Sequence, residues 1–215
     1  MADGWIKWLT VLCCWWMATG RASSSSHFNL TILHTNDIHS RFQETNVFSN
    51  RCNAQQAISG KCYGGFGRLV HQTQQIRQRE PNSIYLDAGD LFQGTVWYSV
   101  HKWKVAAQFA NLLNLTAMVS LWTLANFQQC AHLCFKFKSL GNHEFDDGIE
   151  GLAPFLNAVN FPLLASNIHT DSEPEMTGKL SKSIVLQIGG RNVGIIGYTY
   201  PEAQVTDKQP AIKDY

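Results

Sequence analysis

Charge of either sign is scarce in this chain. Of its 215 residues, 17 are Lys or Arg and 16 are Asp or Glu, so the formal net charge is +1. A net charge this close to zero implies neither nucleic acid nor an acidic membrane surface as a partner, and we expect no nucleic-acid partner. Internal repeats are absent, and the length is that of one ordinary domain.

Long hydrophobic runs are also absent. The longest near the amino end, Val11–Ala18, is too short to span a bilayer and is followed by small residues and the run Ser23–Ser26. This pattern predicts an export signal over about residues 1–25, and a membrane anchor or an unprocessed tail is the alternative. Export would make the protein secreted or place it on the extracellular surface, where Asn29-Leu-Thr and Asn114-Leu-Thr would be glycosylation acceptors.

Cysteines are few and fall in three places. Cys13 and Cys14 belong to the predicted signal, and Cys130 and Cys134 lie in an unusual segment described below. Cys52 and Cys62 flank a polar loop, where an oxidising compartment would favour a disulfide. A zinc site at this pair is disfavoured, because the spacing is unsuitable and the loop has no histidine.

Apolar periodicity predicts strands that alternate with helices, which is typical of α/β layers. The predicted strands are Phe28–Leu33, Ser83–Leu86 and Pro162–Ala165, with a hairpin of Ser183–Ile188 and Asn192–Ile196 around Gly189-Gly190. The predicted helices are Phe66–Arg79, Val100–Leu113 and Ile149–Val159.

Three short polar strings follow predicted strands: Asp37-Ile38-His39, Gly89-Asp90 and Gly141-Asn142-His143-Glu144. Chemistry in α/β sheets lies at the carboxyl ends of strands, so we expect these strings to meet. Asp37 and His39 are two residues apart on an extended segment, so their side chains would project to the same side and bind one metal ion together. The two oxygens of Asp90 would bridge two ions, and Asn142 would offer its amide oxygen to the second. Mixed nitrogen and oxygen ligands favour Zn, Mn or Fe over Ca.

Order, spacing and strand context make the set resemble the calcineurin-like metallophosphoesterases. The strings ILHTNDIHSRF, YGGFGRL, YLDAGDLFQGT, SLGNHEFDDGIEGL, LLASNI and VGIIGYTYPE resemble the 5'-nucleotidase/apyrase family from Phe28 to about Glu202. The implied fold is a metallophosphoesterase-like α/β fold with two facing mixed sheets and outer helices. Residues 26–215 would form a truncated version of this domain. The position of Cys52 and Cys62 resembles a loop disulfide of the family.

The resemblance implies two divalent ions, with Zn or Mn favoured and Ca or Mg as alternatives, and a nucleotide substrate such as AMP, ADP or ATP. His143 and Asp146 resemble the family's catalytic His–Asp pair, in which the carboxylate orients a protonated imidazole toward phosphate or the leaving oxygen. Alternatively, Asp146 or Asp147 simply caps the helix that opens at Gly148.

The segment Val119–Lys138 departs from the family pattern, which joins these motifs with roughly 20 fewer residues. Its removal leaves a natural join from Met118 to Ser139, and its ends can be written with codons that suit a splice donor and acceptor. We therefore expect a retained intron or a gene-model error, with a surface insertion as the alternative. We also expect the segment to lie outside the sheet core, with apolar side chains partly exposed.

The family's second ion also takes two histidines beyond Asn142, and only His169 follows His143 here, at a position that does not match. The family's carboxyl-terminal nucleotide-binding domain is not found in this sequence, and attachment by a lipid anchor cannot be read from it. We therefore expect one metal site nearly whole, a second incomplete, and little hydrolysis by this chain. A non-catalytic nucleotide- or partner-binding remnant and a mis-spliced product without a stable fold are the alternatives.

Overall fold

The computed structural model describes residues 27–119 and 140–199. The predicted export signal and residues 120–138 of the unusual segment lie outside the described residues. Within the described part, no helix is long and apolar enough to cross a membrane.

A five-stranded parallel sheet forms the centre of the described structure. Its strands are β1 (Thr31–Thr35), β4 (Ser83–Asp87), β5 (Ala117–Met118), β6 (Leu163–Leu164) and β7 (Leu180–Ser181). They lie side by side in this order, and every neighbouring pair is parallel. β4 is buried over nearly its whole length, as expected of an interior parallel strand.

Two antiparallel pairs complete the strands. β2 (Glu44–Thr45) pairs with β3 (Tyr63–Gly64), and β8 (Ser183–Ile188) pairs with β9 (Arg191–Ile196). Ile184, Leu186 and Ile188 alternate along β8 and pack with the apolar side chains of one face of the main sheet, so the hairpin is the second layer of a sandwich. The predicted hairpin around Gly189-Gly190 is confirmed.

Helices cover the opposite face of the main sheet. Apart from the short helix α1 (Ala54–Ile58), which has no buried residue, they are α2 (Phe66–Arg79), α3 (Val96–His101), α4 (Trp103–Leu112) and α5 (Gly148–Ala158), with 3-10 turns at His143–Phe145 and Pro174–Met176. Buried side chains of these helices form the larger apolar core together with Tyr85 and Met118 of the sheet. The predicted α/β class is therefore confirmed, and the predicted helix Phe66–Arg79 has the predicted bounds.

The predicted helix Val100–Leu113 is wrong in its limits. The structure has two helices there, α3 and α4, separated at Lys102, whose φ is 53° and ψ is −145°. Residues other than glycine rarely adopt this conformation, which periodicity of apolar residues does not reveal.

Val119 corrects one boundary of the unusual segment. Its side chain is fully buried beside Ile84, Leu86 and Leu164, and its backbone N–H donates to the carbonyl oxygen of Asp87. The segment's first residue thus belongs to the core, contrary to our expectation for all of Val119–Lys138.

Candidate metal and phosphate site

The candidate site lies at the carboxyl ends of the adjacent parallel strands β1 and β4. The loop after β1 lies against the loop after β4 through backbone hydrogen bonds: Asp37 N–H donates to Gly89 O at 3.0 Å and His39 N–H donates to Asp90 O at 2.9 Å. The parallel pairing of β1 with β4 brings the two strings together, as the rule for α/β sheets predicts.

The local backbone differs from the expected extended segment. Asp37, His39 and Asp90 all have positive φ, of 53°, 49° and 56°. Three non-glycine residues in the left-handed region indicate backbone strain concentrated at one place, which is typical of functional sites. The side chains of Asp37 and His39 therefore converge through turns, and the alternation of an extended strand is the wrong reason for their proximity.

Two carboxylates and one imidazole come together there. One ligand atom from each of Asp37, His39 and Asp90 lies within 4.8 Å of the other two. His39 Nε2 is 4.0 Å from Asp37 Oδ1, while His39 Nδ1 lies 3.2 Å from the carbonyl oxygen of Phe92. A carbonyl oxygen only accepts hydrogen bonds, so Nδ1 carries a proton, which leaves Nε2 as the ring atom that can bind a cation on the side of the carboxylates. This donor set fits one divalent cation.

The loop of the third string approaches the same place. The backbone N–H of His143 donates to Asp90 Oδ1 at 3.0 Å, and the rings of His39 and His143 meet edge to face with centroids 5.1 Å apart. Asn142 precedes His143 on this loop and is exposed. Its role as a metal ligand stays a prediction.

His143 is paired as expected. Its Nδ1 lies 2.7 Å from Asp146 Oδ2. Partial burial lowers the pKa of His143, but the hydrogen bond and charge of Asp146 outweigh it, and the pKa is raised. Neither aspartate caps α5 through its side chain: Asp147 instead accepts from the Tyr98 hydroxyl at 2.8 Å and from Lys102 Nζ at 3.1 Å.

Glu144 is a site residue that our reading of the sequence missed. It is fully buried, and burial raises its pKa to about 7. Its carboxylate accepts backbone N–H bonds from both loops around Asp90 and Gly141. A carboxylate directly before Phe145 in a polar string is a weak signal, because burial of such a group depends on contacts distant in sequence.

Asp87 is a second buried carboxylate behind the site. It accepts from the Thr35 hydroxyl at 2.6 Å and from the Gly89 N–H at 3.0 Å. Burial, with the nearby charges of Asp37 and Asp90, raises its pKa to about 7, although the two hydrogen bonds lower it. The sequence signal that could have identified Asp87 as a site residue is its place at the end of a buried apolar strand.

Two glycines allow the loops to approach. Gly89 has φ 89°, and a Cβ built on it would lie 2.5 Å from the Gly141 nitrogen. A Cβ on Gly94 would lie 2.5 Å from the carbonyl oxygen of His39. Both distances are shorter than any real Cβ contact, so a side chain at either position would separate the loops that carry the site.

The remaining predicted sites lie away from this edge. Cys52 and Cys62 form a disulfide with a Cα–Cα distance of 5.8 Å, so their proximity to Glu44 is not a metal site. Asn29 and Asn114 are both exposed, as glycosylation would require. His169 is half-buried and does not belong to the group formed by Asp37, His39 and Asp90.

Comparison with known proteins gives a consistent result. The family model of calcineurin-like phosphoesterases matches residues 30–214. The chain is 41% identical over 180 residues to an apyrase of Tabanus yao, covering 84% of this chain and 28% of the apyrase. It is 42% identical over 182 residues to a 5'-nucleotidase of Mus musculus, covering 83% of this chain and 27% of that protein.

A solved structure has the same fold. The crystal structure of a 5'-nucleotidase precursor from Thermus thermophilus matches with a TM-score of 0.68 and 31% identity, covering 87% of this chain and 32% of that one. The chain thus spans about 30% of the length of the relatives it matches. The match across residues 30–214, together with the three strings at one sheet edge, shows that this chain belongs to the calcineurin-like phosphoesterase family and, within it, is similar to 5'-nucleotidases and apyrases.

Proposed function

We propose that the chain is the metal-binding part of a secreted, metal-dependent phosphohydrolase that acts on extracellular nucleotides. The observation that carries this proposal is the convergence of Asp37, His39 and Asp90 beside the His143–Asp146 pair. Similarity to proteins named apyrase and 5'-nucleotidase supports nucleotides as the substrate class.

Four side chains would hold the metal ions. Asp37 and His39 Nε2 would bind the first ion, Asp90 would bind both ions, and Asn142 would add a ligand to the second ion from the adjoining loop, which leaves the second site incomplete. The donor set favours Zn²⁺ or Mn²⁺ over Ca²⁺ or Mg²⁺. When bound, divalent cations offset the charge of the phosphoryl oxygens and make water a better nucleophile.

The surroundings of His143 support a role as a proton donor. Asp146 holds Nδ1, so Nε2 is the atom that can donate to a phosphoryl or leaving-group oxygen. The raised pKa keeps the imidazole protonated over a wider range of pH than a free histidine. A proton held beside the site would stabilise negative charge that develops on the leaving oxygen.

Among the described residues beyond His143, no histidine joins the metal donors. We therefore propose that this 215-residue chain holds the second ion loosely and hydrolyses nucleotides slowly by itself. The Cys52–Cys62 disulfide and the exposed acceptors Asn29 and Asn114 support an extracellular location.

The test is phosphate release from AMP, ADP and ATP, with Zn²⁺, Mn²⁺, Mg²⁺ or Ca²⁺ supplied. We expect metal-dependent release well below the usual enzymatic range of about 1–10³ s⁻¹. His143→Ala should abolish it. His71→Ala removes an exposed histidine of α2 and should leave the rate unchanged.

Two results would contradict the proposal. Binding of nucleotide with no metal-dependent release at all would favour the non-catalytic alternative. Release at ordinary enzymatic rates that His143→Ala abolishes would show that the donors present suffice, and would overturn the proposed loose second site.

A further inference from the structure

Glu144 is the one side chain among the described residues that accepts hydrogen bonds from two of the loops carrying the candidate ligands. Its Oε2 accepts from Asp90 N–H at 2.9 Å and from Gly141 N–H at 2.6 Å. Its Oε1 accepts from Leu91 N–H at 2.7 Å and from Phe92 N–H at 3.3 Å. A single carboxylate oxygen thus joins the loop after β4 to the loop that presents Asn142.

The position of Glu144 makes these bonds strong. The side chain is fully buried, together with Leu91, Phe92 and Leu140 around it in the core. Hydrogen bonds from backbone N–H groups to a buried carboxylate are shorter and stronger than neutral ones. Without the carboxylate, the buried N–H groups of Leu91, Phe92 and Gly141 and the part-buried N–H of Asp90 would lose this acceptor.

The bonds act on the spacing of the candidate ligands. Asp90 is itself one donor residue of the bound loop, and Asn142 follows Gly141 directly. A separate bond from His143 N–H to Asp90 Oδ1 sets the orientation of the Asp90 carboxylate. The Glu144 bonds and this bond together fix both the distance between the loops and the direction of the bridging side chain.

We propose that Glu144 is a positioning residue that holds Asp90 and Asn142 at the separation needed for metal binding, an inference that rests on the proposed function. Outer groups that orient metal ligands typically change metal affinity by 10–100-fold when they are replaced. The residue touches neither substrate nor metal in this role.

The test substitutes Glu144→Gln and measures Mn²⁺ affinity calorimetrically in the full chain. Gln keeps the size but presents an NH₂ group to two of the N–H donors, so we expect Mn²⁺ binding about 10–100-fold weaker. Glu150→Gln makes the same chemical change at an exposed position of α5 and should bind Mn²⁺ like the wild-type protein. Equal affinity in Glu144→Gln and Glu150→Gln would overturn the proposal.

Amide hydrogen exchange gives a readout independent of metal. In the metal-free wild-type protein, the N–H groups of Asp90, Leu91 and Gly141 should be protected, and Glu144→Gln should remove that protection while distant amides of α2 keep theirs. Rapid exchange of Asp90 and Gly141 in the wild-type protein would overturn the proposal even if Glu144→Gln fails to fold.

Glu144→Asp tests whether the length of the side chain matters as well as its charge. Asp retains the carboxylate but is one methylene shorter, so it cannot bond both loops as Glu144 does, and we expect it to lose affinity for Mn²⁺ as well. Full affinity in Glu144→Asp would overturn the proposal. Failure of the wild-type protein to bind Mn²⁺ would overturn the proposed metal centre, while the exchange comparison would still decide whether Glu144 joins the loops.

Discussion

At the scale of single residues, Asp146 raises the pKa of His143 through its hydrogen bond and its charge. Burial alone would lower the pKa of His143, and the hydrogen bond with Asp146 reverses that effect. A histidine with a raised pKa stabilises the folded state at low pH, and this contribution is lost as pH rises through the folded-state pKa.

We expect Asp146→Asn to lower the pKa of His143, because Asn can still accept from Nδ1 but carries no charge. The measurement is an NMR titration of the His143 ring in chelator. Asp147→Asn is the matched control, since Asp147 contacts Tyr98 and Lys102 instead. An unchanged His143 titration in Asp146→Asn would show that the pair in the structure does not set the pKa.

Asp87 gives a second prediction at this scale. Its effect on the pH dependence of stability is opposite in sign to that of an aspartate whose pKa is lowered by folding. Its pKa is raised from 3.8 to about 7 by burial, so between these values the folded state binds a proton that the unfolded state has released. Unfolding then releases a proton, and the free energy of unfolding falls as pH rises through this window. Above about pH 7 both states are ionised, and the contribution no longer changes.

We therefore expect the metal-free protein to lose stability from about pH 4 to pH 7, and Asp87→Asn to lose less. The Asn oxygen can accept from Gly89 N–H and its NH₂ can donate to the Thr35 hydroxyl, so both contacts survive. Urea unfolding in chelator at several pH values is the measurement. Asp171→Asn, at an exposed position, should leave the slope unchanged. Equal slopes in Asp87→Asn and the wild-type protein would contradict the prediction.

Residue types and order predicted which side chains meet, but not how. Asp37 and His39 were expected to converge through strand alternation, and they do so through two left-handed residues. Glu144 and Asp87 were missed as site residues because their burial results from packing between distant segments, which no local pattern encodes. Whether Asp37, His39, Asp90 and Asn142 bind metal stays a prediction.

At the scale of elements, periodicity succeeded where one apolar face sets the structure. The helix α2 begins and ends as predicted, since Phe66 and Thr73 are buried and Arg77 and Arg79 lie favourably in its last turn. Periodicity failed at Lys102, where a continuous apolar pattern runs through a break in the backbone. Lys102 Nζ forms an ion pair with Asp147 at 3.1 Å beside this break.

This break leads to a prediction about stability. Lys102→Gly should relieve backbone strain of about 1–3 kcal/mol and lose an exposed ion pair that contributes about 0–1 kcal/mol. We expect a net increase of roughly 1 kcal/mol in the free energy of unfolding, measured in urea. Lys102→Ala loses the ion pair but keeps the strain, so it should be no more stable than the wild-type protein. A Gly variant no more stable than the Ala variant would show that the turn is not strained.

At the scale of the whole molecule, two apolar layers meet on the side of the main sheet that faces the β8–β9 hairpin. Ile84, Leu86 and Leu164 of the sheet face Ile195 of the hairpin, and Val119 is buried among them. The sequence predicted the hairpin, and the family resemblance implied two facing sheets. The burial of Val119 between them was not predicted, because Val119 was assigned to the unusual segment Val119–Lys138 and not to the end of β5.

The burial of Val119 permits a sharp test of the unusual segment. Deletion of Val119–Lys138 joins Met118 to Ser139 and so puts a serine at the position of Val119. Deletion of Ser120–Ser139 removes the same number of residues but joins Val119 to Leu140, and so retains the apolar side chain. The two shortened chains have equal length and differ in this one residue.

We expect both deletions to fold more cooperatively than the full chain, since a connection with several large apolar residues favours association when it is exposed. The variant that keeps Val119 should be more stable than the other by about 1–2 kcal/mol, because it buries a valine side chain where the other must bury a hydroxyl. Urea unfolding of the two variants measures the difference directly. Equal stability would place Val119 outside the core, and loss of folding in both would show that the segment is a true part of the domain, against a retained intron.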